Sequence, residues 1–193
     1  MAISYNAFPT TKISFLDNNT IEFKNSMYVA YEQGIKKLVF KSKKGNINLE
    51  NQDINLIGDV KGQFILDGET FTLIAKSLNG NLVNKSISSK DNTVFKANDM
   101  EIVSTSMKIF QTPQEGVKII FKNANFDKIH SGSKINKGRA NKIELFPEKG
   151  LVFMEGSAEF YQDNMKIITE EIHYDLNQDR ILKSINAKII NNL

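Results

Sequence analysis

Two segments decide the fold of this chain: INLIGDV at residues 54–60 and LVFMEGSAEF at residues 151–160. Each consists of an apolar run, a glycine and then further strand-like residues. A glycine inside a strand weakens it unless the backbone bulges or bends there. Gly58 and Gly156 are 98 residues apart. We interpret both as structural glycines at which a long sheet curves.

Apolar residues alternate with polar ones along most of the chain, as in FTLIA at 71–75, which is the pattern of half-buried strands. Residues 27–38 also fit a short helical face, but Gly34 and the neighbouring Val and Tyr residues favour strand. Turn residues interrupt the runs at short intervals and predict a meander of hairpins. The expected turns are Asp17 to Asn19, Gln33-Gly34, Asp67-Gly68, Asn79-Gly80, Asp91-Asn92, Gln114 to Gly116, Glu148 to Gly150 and Asn177 to Asp179.

Five segments share a small or polar start that is followed by alternating apolar residues, and self-similarity of this kind indicates a stacked architecture. They are KGNINL (44–49), AKSLNGNL (75–82), ANDMEI (97–102), RANKIEL (139–145) and TEEIHYD (169–175). Each rung exposes one apolar face and needs neighbours to bury it. The predicted fold is therefore all-β: an elongated, twisted, open β-jellyroll built from stacked hairpin rungs, with an apolar groove and two open edges.

The composition argues against several classes of function. The chain has 193 residues, of which 25 are basic and 22 acidic, with the two signs interleaved. Nucleic-acid binding needs a concentrated basic stripe, so we expect no nucleic-acid partner. The chain has no cysteine, which excludes disulfides and thiolate chemistry. It shows neither a signal peptide nor an apolar stretch long enough to span a bilayer, so it is either cytosolic or a mature or trimmed form, and we favour the second.

No catalytic residue, metal or cofactor is predicted, because the chain has only two histidines and no clustered nucleophile or base. Glu171, His173 and Asp175 share one face of a predicted strand, a spacing that fits three metal ligands. A solvated strand face explains the same pattern without a metal, and further ligands are not evident. The segment SGSKINKGR (131–139) lacks the Gly-Lys-Ser/Thr ending of a phosphate-binding loop, so we interpret it as a basic loop.

Five lysines form the densest positive stretch: Lys36, Lys37, Lys41, Lys43 and Lys44. They fit the phosphates of a lipid headgroup or an anionic membrane surface. A solvated face explains them equally well. Strict alternation along a strand would also send some of these lysines to opposite faces, which weakens the headgroup interpretation.

Several of these segments resemble the core of LptC, a family of periplasmic lipopolysaccharide transport. They are TIEFKNSMYV (20–29), KKGNINL with INLIGDV, FTLIAKSL (71–78) and SISSKDNTVFKANDMEI (86–102). From Gly138 onward, GRANKIEL, GLVFMEGSAEF and EEIHYDLNQDRI resemble the rung-and-glycine pattern of the related LptA family, also called OstA-like. The choice between an LptC, an LptA and a fusion-like role stays open.

The resemblance implies a domain organisation: an N-terminal extension over 1–19, followed by a single OstA-like β-jellyroll over 20–193 that is LptC-like over 20–122 and LptA-like over 138–193. It implies location in the periplasm, with an inner-membrane anchor of the LptC kind in a segment outside this chain. The implied function is lipopolysaccharide transport and outer-membrane assembly by a protein that is not an enzyme.

The resemblance also implies how the protein works. It would bind lipid acyl chains in an apolar β-groove and pass them to an edge-paired partner. The expected partners are lipopolysaccharide and other transport proteins, namely the inner-membrane transporter complex and an LptA-like bridge. The alternative is a structural β-scaffold protein with a closed core and no lipid ligand, because the same apolar residues would fill a closed core.

The candidate lipid-binding residues are apolar side chains of the predicted rungs, rich in Phe and in Met, which adapts to irregular ligands. They are Ile47, Leu49, Leu56, Phe64, Phe71, Leu73, Met100, Ile119, Phe121, Ile143, Leu145, Met154, Phe160 and Ile172. The segment DRILKSINAKII (179–190) has no proline and is predicted to be an open edge strand that pairs with a partner. Its alternating residues form the candidate partner edge: Ile181, Lys183, Ile185, Ala187 and Ile189. The second candidate edge is residues 20–29.

Overall fold

The backbone is extended almost throughout, and sixteen strands of the described residues join in one antiparallel sheet. This computed structural model describes residues 2–5, 13–17, 19–32, 35–66, 68–97, 99–130, 134–162 and 164–191. A short 3-10 helix lies at Pro147–Lys149. The strands are β1 (Ala2–Tyr5), β2 (Ile13–Asp17), β3 (Thr20–Glu32), β4 (Ile35–Asn48), β5 (Asp53–Leu66), β6 (Glu69–Asn81), β7 (Ser86–Ser89), β8 (Thr93–Ala97), β9 (Met100–Ser104), β10 (Ser106–Thr112), β11 (Gly116–His130), β12 (Lys134–Phe146), β13 (Leu151–Gln162), β14 (Met165–Asp175), β15 (Arg180–Ile185) and β16 (Lys188–Asn191).

The sixteen strands are two copies of an eight-strand arrangement, which we call the first unit (β1–β8) and the second unit (β9–β16). Phe23 of β3 pairs with Gly45 of β4, and Phe121 of β11 pairs with Ile143 of β12, each 98 residues later. The pairing of β6 with β8 recurs between β14 and β16 at a spacing of 94 residues. The spacing between the two structural glycines therefore reflects a repeat of the whole unit.

The long strands of the first unit bend near their middle, and the bends lie side by side. Pairing is interrupted at Asn25 of β3, at Lys43 of β4 and at Gly58-Asp59 of β5. Asn25, Gly58 and Asp59 all have positive φ, with +83° at Gly58. Two successive left-handed residues form a bulge that bends the strand, and glycine takes this conformation without steric cost. We call this line of bends the crease.

The second unit has the same crease 98 residues later. Pairing is interrupted at Asn123 of β11, at Asn141 of β12 and at Gly156-Ser157 of β13. Asn123, Gly156 and Ser157 again have positive φ, with +76° at Gly156. Gly58 and Gly156 therefore lie where the sheet bends, as their position inside apolar strands predicts.

The crease divides the sheet into two walls. In the first wall, β7 pairs with residues 79–81 of β6, and in the second wall, β8 pairs with residues 71–75. Each short strand belongs to the wall whose half of a long strand it pairs with. On this basis the first wall contains β2, β7, β10 and β15, and the second wall contains β1, β8, β9 and β16. The walls face each other and their side chains touch: the ring centroids of Phe160 and Tyr174 are 5.0 Å apart across the interior. The predicted all-β jellyroll is confirmed.

Each wall carries an unbroken row of directly paired, inward-facing residues, which we call its inner ladder. The inner ladder of the first wall is Ile21, Ile47, Ile54, Gly80, Ile87, Ile109, Ile119, Leu145, Val152, Tyr174 and Ile181. The inner ladder of the second wall is Tyr28, Phe40, Gly62, Leu73, Phe95, Ile102, Phe126, Gly138, Phe160, Ile167 and Ile189. Both ladders cross from the first unit into the second.

Most of the turn and strand expectations agree with the described residues. The turns at 91–92, 114–116, 148–150 and 177–179 and the strand interpretation of residues 27–32 and 35–38 are confirmed, while residues 18, 33, 34 and 67 of the other expected turns lie outside the described residues. The turn expected at Asn79-Gly80 is wrong, because both residues belong to β6. Gly80 pairs with Ile54 on one side and Ile87 on the other, and this pairing outweighs the local turn preference of the dipeptide.

Two further expectations need correction. The loop expected at 131–139 is wrong for residues 134–139, which form the start of β12 and pair with both β11 and β13, whereas 131–133 lie outside the described residues. The single edge strand expected at 179–190 is two strands, β15 and β16. Asn186 between them has a φ of +55°, and the two strands pair with opposite halves of β14. Strands β1 and β2 of the segment 1–19 pair with β3.

A charge network lies at residue Glu159 on the outer surface of the second unit. Arg139 Nη2 donates to Glu159 Oε1 at 2.7 Å, Tyr161 Oη donates to Oε2 at 2.8 Å, and Lys166 Nζ is 3.0 Å from Oε2. The hydrogen bond from Arg139, followed by that from Tyr161, lowers the pKa of Glu159 to about 2. The folded protein therefore favours the ionised carboxylate more than the unfolded chain does.

We predict that Glu159→Gln lowers the free energy of unfolding at neutral pH, because it removes a carboxylate that the fold stabilises. A depressed pKa stabilises the fold above the carboxyl's ordinary value of 4.5, and this contribution disappears as the pH falls towards about 2. Urea unfolding at several pH values should therefore show that the difference in the free energy of unfolding between the parent protein and Glu159→Gln shrinks as the pH falls across that range. A difference that is constant down to the lower value would contradict the assignment.

We also predict that Gly156→Ala destabilises the fold more than Gly68→Ala. Both glycines have positive φ, so both substitutions incur a cost of roughly 1 kcal/mol for left-handed backbone. A Cβ at Gly156 would lie 3.1 Å from Asn141, whereas a Cβ at Gly68 meets no atom within 4 Å. Chemical denaturation should show that the free energy of unfolding falls by about 2 kcal/mol in Gly156→Ala and by about 1 kcal/mol in Gly68→Ala. Equal losses would show that the crease does not depend on close packing at Gly156.

Candidate lipid-binding interior and strand-pairing edges

The interior between the walls contains almost all the residues that were predicted to line a lipid groove. Thirteen of the fourteen are buried and belong to one apolar cluster. Leu49 is the exception: it lies in the turn after β4 and is 51% exposed. Four further residues that were not among the predicted lining are buried in the same cluster: Tyr28, Phe95, Phe126 and Tyr174. Strict alternation within VFKA and NANF would have found two of them.

Aromatic rings connect the interior of the two units. Phe64 and Phe71 stack at 5.3 Å between ring centroids, and Phe71 is 5.5 Å from Phe95. Phe95 of the second wall then meets Phe121 of the first wall edge-on at 5.4 Å. Offset and edge-to-face contacts at these distances are favourable beyond the area that they bury. The aromatic rings therefore hold the walls together across the boundary between the units.

A cavity of about 420 Å³ lies between the walls on the side away from the crease. Phe71, Met100 and Lys128 line it from the second wall, and Leu145 and Leu176 line it from the first wall. Its size falls within the range of roughly 300–1,000 Å³ that small-molecule sites occupy. Because the turns of the two walls meet here without a covalent link, we call this the open side of the fold.

Polar side chains tie the walls together on the open side of the second unit. Lys128 Nζ, on the second wall, donates to the backbone oxygen of Leu176 on the first wall at 2.8 Å. Asn136 Nδ2 donates to Tyr174 Oη at 3.0 Å and to Asp179 Oδ1 at 2.9 Å, and Tyr174 Oη also donates to Asp179. Lys128 and Asn136 are buried, and buried polar groups are costly without such partners. We call these five residues the clasp.

The candidate metal ligands are engaged with other groups. His173 Nε2 lies 2.6 Å from Glu171 Oε1, which also accepts a hydrogen bond from Lys183 Nζ at 3.0 Å. The Lys183 hydrogen bond is the main cause of a lowered pKa at Glu171. Asp175 Oδ1 caps the next turn by accepting two backbone N–H groups at 2.9 Å. Among the described residues, no group of three or more His, Asp or Glu side chains could hold a metal ion.

The boundary between the units is a joint made by strand pairing. In the first wall β7 pairs with β10, and Ile87 lies opposite Ile109. In the second wall β8 pairs with β9, and Phe95 lies opposite Ile102. The last two strands of the first unit therefore pair with the first two strands of the second, and the sheet continues without a gap.

The C-terminal edge repeats one side of that joint. Strands β15 and β16 pair with β14 as β7 and β8 pair with β6, and the described residues place no strand beyond them. Of the predicted edge residues, Ile181, Lys183 and Ile185 lie in β15, Ala187 follows it, and Ile189 lies in β16 with 60% of its surface exposed. The second candidate edge, 20–29, is wrong, because β3 pairs with β4 on one side and with β1 and β2 on the other.

Within the described residues, no helix is both long and apolar enough to cross a bilayer. No curated protein matches the chain. Among solved structures, the chain is similar to that of LptH, described as the LptA homologous periplasmic component of the conserved lipopolysaccharide transport device from Pseudomonas aeruginosa. The two share 12% sequence identity with a TM-score of 0.56, over 62% of this chain and 93% of that chain. This likeness is one of fold.

Two protein-family models match the sequence, and each covers more than half of it. Residues 4–117 match the family described as lipopolysaccharide-assembly, LptC-related. Residues 72–180 match the family described as LptA/(LptD N-terminal domain) LPS transport protein. The two matches overlap at the joint between the units, and both resemblances noted in the sequence are confirmed. The chain belongs to the lipopolysaccharide-transport family that comprises LptA, the N-terminal domain of LptD and the LptC-related assembly proteins.

Proposed function

We propose that this protein is a periplasmic, non-enzymatic carrier that holds the acyl chains of lipopolysaccharide between its walls and passes them to an edge-paired partner. The observation that supports this most directly is the pair of inner ladders, which cross both units without a charged side chain. An acyl chain that moves along these ladders meets no charged side chain, and the polar side-chain groups on them are the hydroxyls of Tyr28 and Tyr174. It would therefore desolvate few polar groups as it moves along the sheet.

Entry from the open side fits the geometry best. On the crease side the backbone of the long strands is continuous between the walls. On the open side only side-chain contacts join the walls, and the 420 Å³ cavity lies there. Lipid would part the walls in the first unit and at the joint, while the clasp keeps the open side of the second unit closed until Lys128 releases Leu176.

A closed scaffold is the second candidate function, and one observation favours it. Leu73, Phe121, Met154 and Phe160 are among the predicted lining residues with no exposed surface. A core that is filled in this way is what a structural protein needs. The two functions differ in whether lipid can displace these side chains from one another.

We predict that a photo-crosslinking residue at Phe71 captures lipopolysaccharide, whereas the same residue at Thr70 does not. Phe71 is buried at the cavity, and Thr70 is exposed one position earlier on β6, so the two side chains point to opposite faces. Phe71→Asp should also weaken lipid binding more than tenfold, because an unpaired carboxylate in an apolar interior costs several kcal/mol. The readout is mass spectrometry of the crosslinked protein.

The closed scaffold would be the better description if neither position captured lipid from a folded protein. Capture at Thr70 alone would place the lipid on the outer surface. Phe71→Leu is the matched control for the aspartate, because it keeps the site apolar and should retain most of the lipid binding.

The partner edge is proposed from the internal joint. Because β15 repeats β7, the joint predicts which residues of β15 would pair with a partner strand. Ile87, Ser88 and Ser89 form the joint in the first unit. Their counterparts by pairing with β14 are Ile181, Lys183 and Ser184, which overlap the predicted edge. The inner ladders would then continue into the partner's interior.

We predict that one of the substitutions Lys183→Pro and Ser184→Pro abolishes association with an LptA-like partner and leaves the protein folded. The N–H groups of neighbouring strand residues point to opposite sides, so one of these residues faces β14 and the other faces the open edge. Proline removes the N–H donor. The proline that faces the edge should lower affinity sharply with little change in melting temperature, and the other should lower the melting temperature.

Lys183→Thr and Ser184→Thr are the matched controls, because threonine keeps the donor and the strand preference, and both should bind within about threefold of the parent protein. A pull-down and a thermal melt of all four variants complete the test. If both proline variants stay folded and bind normally, the protein does not assemble through this edge.

A further inference from the structure

The outer surface of the first unit's crease carries five exposed lysines: Lys24, Lys41, Lys43, Lys44 and Lys61. We call them the crease patch. Simple alternation along β4 would turn Lys43 and Lys44 to opposite faces. The register shift between Lys41 and Lys44 instead exposes Lys41, Lys43 and Lys44 together. The side chains of Lys36 and Lys37 lie outside the described residues.

Lysines lie directly opposite each other in this patch. Lys24 of β3 pairs with Lys44 of β4, and Lys41 of β4 pairs with Lys61 of β5. Like charges in directly opposed positions destabilise a sheet. Lys43 forms a salt bridge with Asp59, and the hydrogen bond from Lys43 lowers the pKa of that carboxyl. Among the described residues, no carboxylate forms a salt bridge with the other four lysines of the crease patch.

The second unit shows that the same backbone can carry balanced charges. At 98 residues' distance, Lys41 and Lys61 correspond to Arg139 and Glu159, whose side chains are 2.7 Å apart. Lys44 corresponds to Lys142, whose Nζ lies 2.6 Å from Glu155 and 2.9 Å from Glu144. One opposed lysine pair recurs, because Lys24 and Lys44 correspond to Lys122 and Lys142. Among the described residues, the excess of positive charge that no salt bridge offsets at the crease is therefore greater in the first unit. It is unfavourable within the fold, and an external anionic surface would compensate it.

Exposed isoleucines adjoin the lysines. Ile57, which is 52% exposed, lies directly opposite Lys44, and Ile74, which is 37% exposed, lies directly opposite Lys61. A depression of about 240 Å³ beside the lysines is lined by Lys41, Lys43 and Lys61 together with Asn25, Met27, Ser42 and Asp59, whose carboxylate is engaged by Lys43. A bilayer surface offers both kinds of partner at once: phosphates for the lysines and the headgroup boundary for the apolar side chains. An acidic protein surface would satisfy the lysines and leave the isoleucines exposed.

We propose that the crease patch docks the first unit on the surface of a bilayer that contains anionic phospholipids. The two rows Lys24, Lys44, Ile57 and Lys41, Lys61, Ile74 form the contact. The lysines bind headgroup phosphates, and the isoleucines insert between headgroups. The open side lies on the opposite face of the fold, so it stays accessible while the crease is docked. This inference is independent of lipid binding in the interior.

The test is flotation of the full chain with vesicles of phosphatidylglycerol and phosphatidylcholine in equal parts, and with vesicles of phosphatidylcholine alone. We expect binding to the mixed vesicles only, and we expect this binding to weaken as salt is added. The combination Lys41→Gln with Lys61→Gln should weaken binding about thirtyfold, from the contribution of two lysines at a charged membrane. Its melting temperature should not fall, because the substitution removes an opposed pair of like charges.

The matched control is Lys122→Gln with Lys137→Gln, which removes the same charge from two exposed positions of the second unit. It should bind mixed vesicles within about twofold of the parent protein. Equal losses of vesicle binding in the two double variants would show that binding depends only on the net charge of the protein, and this would overturn the proposal. Ile57→Ser with Ile74→Ser should also weaken binding to the mixed vesicles, and unchanged binding in that variant would overturn the insertion of the isoleucines between headgroups. If purified lipopolysaccharide binds through Lys41 and Lys61 while the mixed vesicles do not, the ligand is cargo phosphate and docking is wrong.

Discussion

The structure depends on one backbone constraint, the left-handed conformation that β3 and β5, and again β11 and β13, adopt at the same level of the sheet. Residues with positive φ occur at Asn25 and Gly58 in the first unit and recur at Asn123 and Gly156 in the second. A single bulge would bend one strand and disrupt its pairing. Bulges at the same level bend the whole sheet and keep its ladders paired, so one sheet supplies both walls of the interior. The buried core, the open side and the exposed lysines all follow from this line of bends.

Much of the fold could be predicted from the sequence because two of its signals are local. Alternation placed Phe71, Met154 and Phe160 on the inner face, and the two glycines marked the crease. Non-local pairing explains the failures. The local sequence at Gly80 predicts a turn, but pairing with β5 on one side and β7 on the other keeps Gly80 in a strand. The clasp was missed because the burial of Lys128 depends on Leu176, which lies 48 residues away and on the other wall.

The two units share an interior and differ in their outer surfaces. At the crease of the second unit, Lys142 and Arg139 form salt bridges with Glu155 and Glu159, whereas the corresponding Lys44 and Lys41 of the first unit form none among the described residues and lie opposite lysines. Among the side chains that the structure describes, the clasp between the walls is found in the second unit. The LptC-related match covers nearly all of the first unit and continues into the second, and the LptA/LptD match begins in the first unit and covers most of the second. The repeat therefore preserves what lines the interior and allows the rest to diverge.

The joint between the units has a consequence for length. The last two strands of the first unit pair with the first two strands of the second. A sheet that is lengthened by further units in this way would keep the same kind of strand at each of its two ends. A chain with one unit fewer would present the same two ends as this chain. The length of such a sheet can therefore change in whole steps of one unit, while the strands at its two ends stay of the same kind.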